Sequence, residues 1–264
     1  MELTVLGSGS AMPVPDRAQA GYLLDDGDRS LLVDCGSGVL QRLAGTETGY
    51  EGVSTVLLTH HHLDHVADLF PLLKARWLAG AEELSIAGPP GTTDLIESLF
   101  SVHEYMQDRL DLTIRDVGGD VSLAGFSVTS METRHSMQCF AYRITPEEDA
   151  VTDAVPGGLP TVVLSGDSEA FVELAAFADD ATVLVHDCSF PDDVDVSNHP
   201  TPASLGSALG TADPAVDRVY LTHRYPHSEG REESMLDSIG IHYDGDVRFA
   251  EDGLTLELGA HAVD

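Results

Sequence analysis

The chain has 264 residues, 42% of them hydrophobic, and carries 45 acidic against 13 basic side chains for a net charge of −32. That apolar share supplies a core and, with periodic apolar segments along the chain, excludes a disordered acidic protein. With 13 bases in all, a surface that grips nucleic acid through many Lys or Arg contacts to phosphates is not expected.

No apolar run approaches the roughly 18–20 residues that cross a membrane. Met1-Glu2 leads straight into Leu3-Thr4-Val5-Leu6 with no basic segment before it, so no secretion signal is expected. Cys35, Cys139 and Cys188 are scattered without C-x-x-C spacing, which fits a reducing, cytoplasmic protein rather than a disulfide framework or a cysteine zinc site. Lys74 is the single lysine, and the acids are spread along the chain instead of forming a tail. This is the composition of a halophilic protein, whose self-repulsion is screened within roughly 3 Å at about 1 M salt.

Stretches 3–6, 21–24, 30–34 and 55–59 are predicted strands, separated by Gly-Ser-Gly-Ser and Asp-Asp-Gly-Asp turns. A helix is predicted over 66–79, with Leu69, Leu72, Leu73 and Trp77 as its apolar stripe and Pro71 early in it. A strand at 84–87 ends at Gly88-Pro89-Pro90-Gly91, and a helix capped by Thr92 or Thr93 runs on to 99. Further on, 126–131, 140–144, 161–165, 182–186 and 219–222 are predicted strands, and 171–178 and 203–209 helices. Segments 247–250 and 254–258 read as a closing hairpin turned at Glu251-Asp252-Gly253. The one linker-like stretch, 146–160, is short and acidic and does not divide the chain, so a single domain over 1–264 is expected.

Residues with chemistry fall just after apolar strands. Val-Leu-Leu-Thr59 precedes His60, and Val-Val-Leu-Ser-Gly166 precedes Asp167. Val-Leu-Val185 precedes His186-Asp187, and Val-Tyr-Leu-Thr222 precedes His223. Loops at strand ends on a rigid sheet are where sites are built, and the recurrence points to one shared site. Four of the 12 histidines fall in Thr59-His60-His61-His62-Leu63-Asp64-His65. Imidazoles and carboxylates are ligands that suit zinc. His60 and His62, two apart in an extended turn, point to one side and hold one ion; the turn into the helix swings Asp64 and His65 toward a second. Each ion needs further ligands, for which His135, Asp167 and His223 are the candidates. His61 is expected to face away from the site as a solvated spacer.

The run Thr59-His60-x-His62-x-Asp64-His65, followed by His135, Asp167 and His223, resembles the metallo-β-lactamase superfamily. The opening Leu6-Gly7-Ser8-Gly9-Ser10-Ala11-Met12-Pro13 with Arg17, and Leu32-Val33-Asp34-Cys35-Gly36, resemble its ribonuclease Z-like branch. So do Gly88-Pro89-Pro90-Gly91 and Leu221-Thr222-His223-Arg224-Tyr225. The resemblance covers nearly the whole chain. It implies an α/β fold, the four-layer αββα sandwich with two mixed sheets between helices. It also implies two divalent ions, zinc foremost, with manganese or iron as alternatives. Carried over, His60, His62 and His135 would hold the first ion, and Asp64, His65 and His223 the second, with Asp167 bridging. Other branches fit less well. Dizinc β-lactamases use a cysteine at the place of Asp167, flavo-diiron proteins an acid at that of His62, and glyoxalase-type hydrolases lack the His223-Arg224-Tyr225 ending.

Two departures narrow the functional reading. Ribonuclease Z proteins have His-Glu-Ala-Thr where this chain has His186-Asp187-Cys188-Ser189, and a His-Ser-Thr stretch matched loosely by Asn198-His199-Pro200-Thr201. They also carry a long Gly- and Lys-bearing arm that grips tRNA. Here 31 residues lie between His135 and Asp167, with Glu147, Glu148, Asp149 and Asp153 among them, too short and too acidic for such an arm. The implied chemistry is phosphodiester hydrolysis. Paired ions activate a bridging water and offset the charge that builds on the phosphoryl oxygens. Asp64 would orient or deprotonate that water while binding the second ion, and Asp187 with His199 would protonate the leaving group. Arg224 and His227 are candidate substrate contacts beside the last ligand. The expected substrate is a small or cyclic phosphodiester or an RNA end, with no stable nucleic-acid complex and no membrane; a homodimer is compatible with the sequence. The alternatives are ribonuclease Z proper, a tRNA 3′ processing endonuclease, and a catalytically silent metal-binding interaction module.

Overall fold

In a computed structural model of the chain, residues 1–27, 29–147, 158–194 and 196–259 are described, so most of the linker-like stretch lies outside them. Strands β1 (Glu2–Gly7), β2 (Gly21–Asp25), β3 (Ser30–Val33), β4 (Thr55–Leu57), β5 (Glu83–Gly88) and β6 (Asp111–Asp116) belong to one seven-stranded sheet. The chain's last strand, β14 (Thr255–Glu257), completes it in the order β14-β1-β2-β3-β4-β5-β6. The second sheet takes β7 (Asp120–Leu123), β8 (Phe126–Glu132), β9 (Phe140–Pro146), β10 (Val162–Leu164), β11 (Val183–Asp187), β12 (Arg218–Thr222) and β13 (Val247–Phe249), ordered β13 to β7. Both sheets are mixed: β3 to β6 and β10 to β13 run parallel, and the remaining pairs are antiparallel.

Alternation within strands decides the layers. Leu31 and Val33 face the other sheet, meeting Phe126, Tyr142, Leu164 and Val185, whereas Leu32 between them faces helices. A strand buried on both faces reads as a continuous apolar run, which explains Ser-Leu-Leu-Val and Val-Leu-Val-His-Asp. The outer face of the first sheet is covered by α1 (Val39–Leu43), α4 (Leu69–Ala79) and α5 (Thr92–Val102) through Val39, Leu69, Leu72 and Ile96. That of the second is covered by α6 (Val172–Phe177), α7 (Pro202–Ala212) and α8 (Glu232–Gly240) through Leu205, Leu209, Met235 and Ile239. The result is the expected αββα sandwich.

Three local expectations are corrected. The helix predicted over 66–79 is split into α3 (Leu63–Val66) and α4, because the Asp68 carboxylate turns away to accept from Gly38 N and Leu40 N at 2.8 and 3.1 Å. Neither Thr92 nor Thr93 caps α5; Gly91 holds the N-cap at φ 98°, and Asp116 from β6 accepts from the Gly91 and Thr93 amides. Strands β13 and β14 form no hairpin, since they lie in different sheets. Asp252 in the turn between them accepts from Ser8 N, Ser8 Oγ and Ala18 N, which pins the turn to the first loop and delivers β14 beside β1.

Candidate metal centre

The loops after β4, β10, β11 and β12 share one edge of the sandwich, and the β8–β9 connection joins them there. All seven predicted ligands meet in that space. His60, His62, His135 and Asp167 form one group whose ligand atoms lie within 4.8 Å of one another, and Asp64, His65 and His223 form another. Asp167 touches both. Its Oδ2 is 3.7 Å from His60 Nε2, 3.8 Å from His135 Nε2 and 3.2 Å from His223 Nε2, and its Oδ1 is 3.3 Å from His65 Nε2. Close backbone approach makes this possible. A Cβ on Gly36 would sit 2.0 Å from the Asp64 carbonyl oxygen, so only glycine lets the loop after β3 pass beneath the ligand turn.

Hydrogen bonds outside the cluster fix which nitrogen of each ring is free. His135 Nδ1 donates to the Asn198 carbonyl at 3.1 Å, and His65 Nδ1 donates to Asp34 Oδ2 at 2.7 Å. Thr59 Oγ1 gives its proton to Asp34 at 2.8 Å and accepts from His60 Nδ1 at 3.0 Å. Each of these rings therefore turns a lone pair on Nε2 inward. His62 Nδ1 lies 3.0 Å from His60 Nε2 and 3.1 Å from His135 Nε2, so three ring nitrogens crowd one point. One proton on His62 can serve only one neighbour there, with a long 3.4 Å contact from Ser136 Oγ to His135 Nε2 besides. His65 Nε2 is buried with no hydrogen-bond partner. A divalent cation in each group resolves both problems, and nitrogen and carboxylate donors suit zinc.

The electrostatics agree for the first group. Burial, and then the adjoining His65, hold His60 well below the usual imidazole pKa, as ligation requires; burial and His135 do the same for His62. In the second group, burial lowers the His65 pKa, but the Asp167 and Asp34 charges outweigh it and hold it well above the usual imidazole range, so a cation there has a proton to displace. Burial pushes Asp167 up, but His223 and His65 outweigh it and keep its carboxyl well below the ordinary carboxylate range. Beside the ligands opens a mouth of about 380 Å³ lined also by Ala11, Leu63, Ser136, Asn198 and Tyr225, with no Lys or Arg among the described residues of its wall.

Comparison with known proteins shows the family. The profile of the family described as anti-Pycsar protein Apyc1 matches residues 1–206. The chain belongs to that family, in the ribonuclease Z-like branch of the metallo-β-lactamase superfamily. It is 30% identical to the Bacillus subtilis protein named probable metallo-hydrolase YhfI over 97% of this chain and 100% of that one. It is 31% identical to a Mycobacterium bovis ribonuclease Z over 96% of each. The crystal structure of YhfI superimposes with a TM-score of 0.79 at 29% identity, covering 97% of this chain and 99% of the other. The fold of the human short-form tRNase Z follows at 0.76 and 18% identity, over 98% and 99%. The chain is thus a metallo-hydrolase-like member of this superfamily, related to ribonuclease Z.

Within this family framework, the remaining candidates separate. His199 Nδ1 bonds Asp187 Oδ2 at 2.7 Å at the rim of the mouth. Burial lowers the His199 pKa, but the Asp187 hydrogen bond and charge outweigh it and set it at about 9. Asp187 itself is 0% exposed, so it acts through His199 rather than on a substrate. His61 faces away from the ligands, as expected, yet it is no solvated spacer: its Nε2 donates at 2.8 Å to Thr92 Oγ1, whose proton goes to Pro89 O. Arg224 is 6% exposed, pairs with Glu232 and stacks on Phe249, so it cannot reach the mouth. His227 is exposed beside Phe190 and Tyr225. Sequence reasoning about ligands missed Asp34, Thr59, Ser189 and the Asn198 carbonyl. Their one signal is position, each being next to a strand end or to a predicted site residue. Asp34, Asn198 and His223 share positive φ values of 61°, 68° and 57°. Such backbone, costly for His223 above all, clusters at functional sites.

Proposed function

We propose that the protein is a dinuclear-metal-dependent phosphodiesterase acting on small or cyclic phosphodiesters or RNA ends. The observation that carries this reading is the pair of ligand groups joined at Asp167 beside a mouth with no Lys or Arg among the described residues that line it. Two divalent ions bound there, zinc foremost, supply Lewis acidity and an activated water. The chain's own residues do the rest. His60, His62 and His135 would hold one ion and Asp64, His65 and His223 the other, with Asp167 shared by the two groups. Asp64 orients the attacking water. His199, kept protonated by Asp187, donates to the departing oxygen. A mouth of about 380 Å³ admits one phosphodiester with modest substituents, and its described wall, with no Lys or Arg and with His199 committed to the leaving group, offers little to the further phosphates of a polyanion.

The second reading, tRNA 3′ processing, is favoured by the likeness to ribonuclease Z along almost the full length. Turnover of bis(p-nitrophenyl) phosphate and of a cyclic nucleotide, set beside precursor tRNA cleavage at molar salt, separates the two. Efficient cutting of precursor tRNA at one site, with no small-diester turnover, reverses their order. Full metal loading without turnover of any of them leaves the interaction module. The family's description extends the proposal to an anti-Pycsar role. Expression of the chain in cells carrying a Pycsar system tests it, and an undiminished Pycsar response would remove that role.

A further inference from the structure

The site uses one device twice. Asp34 Oδ2 binds His65 Nδ1 directly at 2.7 Å and reaches His60 through the Thr59 hydroxyl, at 2.8 and 3.0 Å. Asp187 Oδ2 binds His199 Nδ1 directly at 2.7 Å, and Oδ1 reaches His223 through the Ser189 hydroxyl, at 2.5 and 3.0 Å. A hydroxyl has a single proton. Ser189 gives it to Asp187, so toward His223 it can only accept, and the His223 proton is held on Nδ1. His223 Nε2 is then left with a lone pair 3.1 Å from Asp64 Oδ2 and 3.2 Å from Asp167 Oδ2, an arrangement that suits a cation. His223 has no direct alternative, because Asp187 Oδ1 is 3.9 Å from its Nδ1, beyond hydrogen-bond range. Ser189 is fully buried on the loop after β11 and is within 3.4 Å of His199 Nδ1 as well.

We propose that Ser189 is a positioning residue: it orients His223 for the second ion and shares the single Asp187 carboxylate between that ligand and the proton donor His199. The proposal rests on the dimetal reading above but not on the choice of substrate. Partners that orient a ligating histidine typically govern its metal affinity by tenfold to a hundredfold.

The test uses zinc-loaded protein dialysed against rising chelator, with the ions remaining per chain counted and no substrate present. In Ser189→Ala the second ion is expected to leave at roughly ten- to hundredfold lower chelator than in the wild type, while the first stays. Ser189→Thr, which keeps the hydroxyl, is expected to restore the wild-type release. If Ser189→Ala fails to fold, Ser189→Cys, close in shape but a weak acceptor, is expected to show the same selective loss. Wild-type release from Ser189→Ala or, failing that, from Ser189→Cys, or equal weakening of both ions, overturns the proposal; a lowered melting temperature with wild-type release reduces Ser189 to packing. A wild-type chain that retains no zinc overturns the dimetal reading itself, and this proposal with it.

Discussion

The ligand turn after β4 and the three loops that complete the site solve the same problem in opposite ways. His60, His62, Asp64 and His65 come from six consecutive positions, so local geometry alone splits them between two groups. His135, Asp167 and His223 come from separate loops of the other sheet and meet the turn only because the two sheets pack face to face. The compact turn encodes the chemistry, and the dispersed residues make it depend on the fold. Their supports are tertiary in both cases: His65 of the turn donates to Asp34, 31 positions away, and His135 to a backbone carbonyl 63 positions away, at Asn198.

Removing the residue that joins the two regions should have the largest effect. Asp167→Ala is expected to abolish turnover and weaken both ions, whereas His62→Ala should abolish turnover but release the first ion selectively. Metal counting on folded protein, checked by circular dichroism, tells them apart. Full activity in either variant would break the assignment.

His199→Ala comes next. It should slow substrates with poor leaving groups by roughly 10²–10⁴-fold and leave nitrophenyl esters, whose leaving group needs no proton, nearly unchanged. The pH dependence has a definite sign. His199 donates only when protonated, so turnover of poor leaving groups should fall as pH rises through its pKa of about 9. Bound cations oppose the Asp64 and Asp167 charges that help to raise that pKa, which moves the limb toward neutral pH. Equal losses on both substrate types would instead make His199 a loop-shaping residue.

Salt tests the dependence on the fold. Carboxylates spread over a chain of net charge −32 repel one another more at low ionic strength, so dilution from molar KCl to tens of millimolar should lower the melting temperature. The dispersed ligands should then lose their ions as the fold loosens. A melting temperature indifferent to salt would count against the halophilic reading.

The smallest effect concerns the anchor of the compact turn. His61→Leu removes the donor to Thr92 and should cost about 0.5–1.5 kcal/mol in denaturant unfolding, while His61→Gln, which keeps a donor, should recover most of it. No difference between the two variants would mean that the turn holds itself.

Much of this was legible beforehand because it is carried by local periodicity. The apolar strands of the core and the recurrence of polar residues at their ends follow from which side chains avoid water. Edge strands were harder: β6, Asp-Leu-Thr-Ile-Arg-Asp, shows only Leu112 and Ile114 to the helix layer and has acids at both ends, so its pattern is faint. Asp68 and Asp252 were opaque for another reason. A carboxylate gives no hint in sequence of which distant amides it will accept from, yet Asp68 splits a helix and Asp252 sends the last strand to the opposite sheet.

By itself, the sequence determined which residues are the candidate donors, because ligand chemistry resides in residue type and the turn at 60–65 fixes its own spacing. It also marked the apolar strands, since apolar runs and alternation are properties of consecutive positions, while the αββα layering was implied by the resemblance to the metallo-β-lactamase superfamily. Tertiary structure alone decided which nitrogen each histidine offers, that Arg224 is spent on Glu232 and Phe249, and that Asp187 is sealed behind His199. Those outcomes depend on partners far apart in the chain, and a hydrogen bond or an ion pair exists only once packing has brought its two ends within reach.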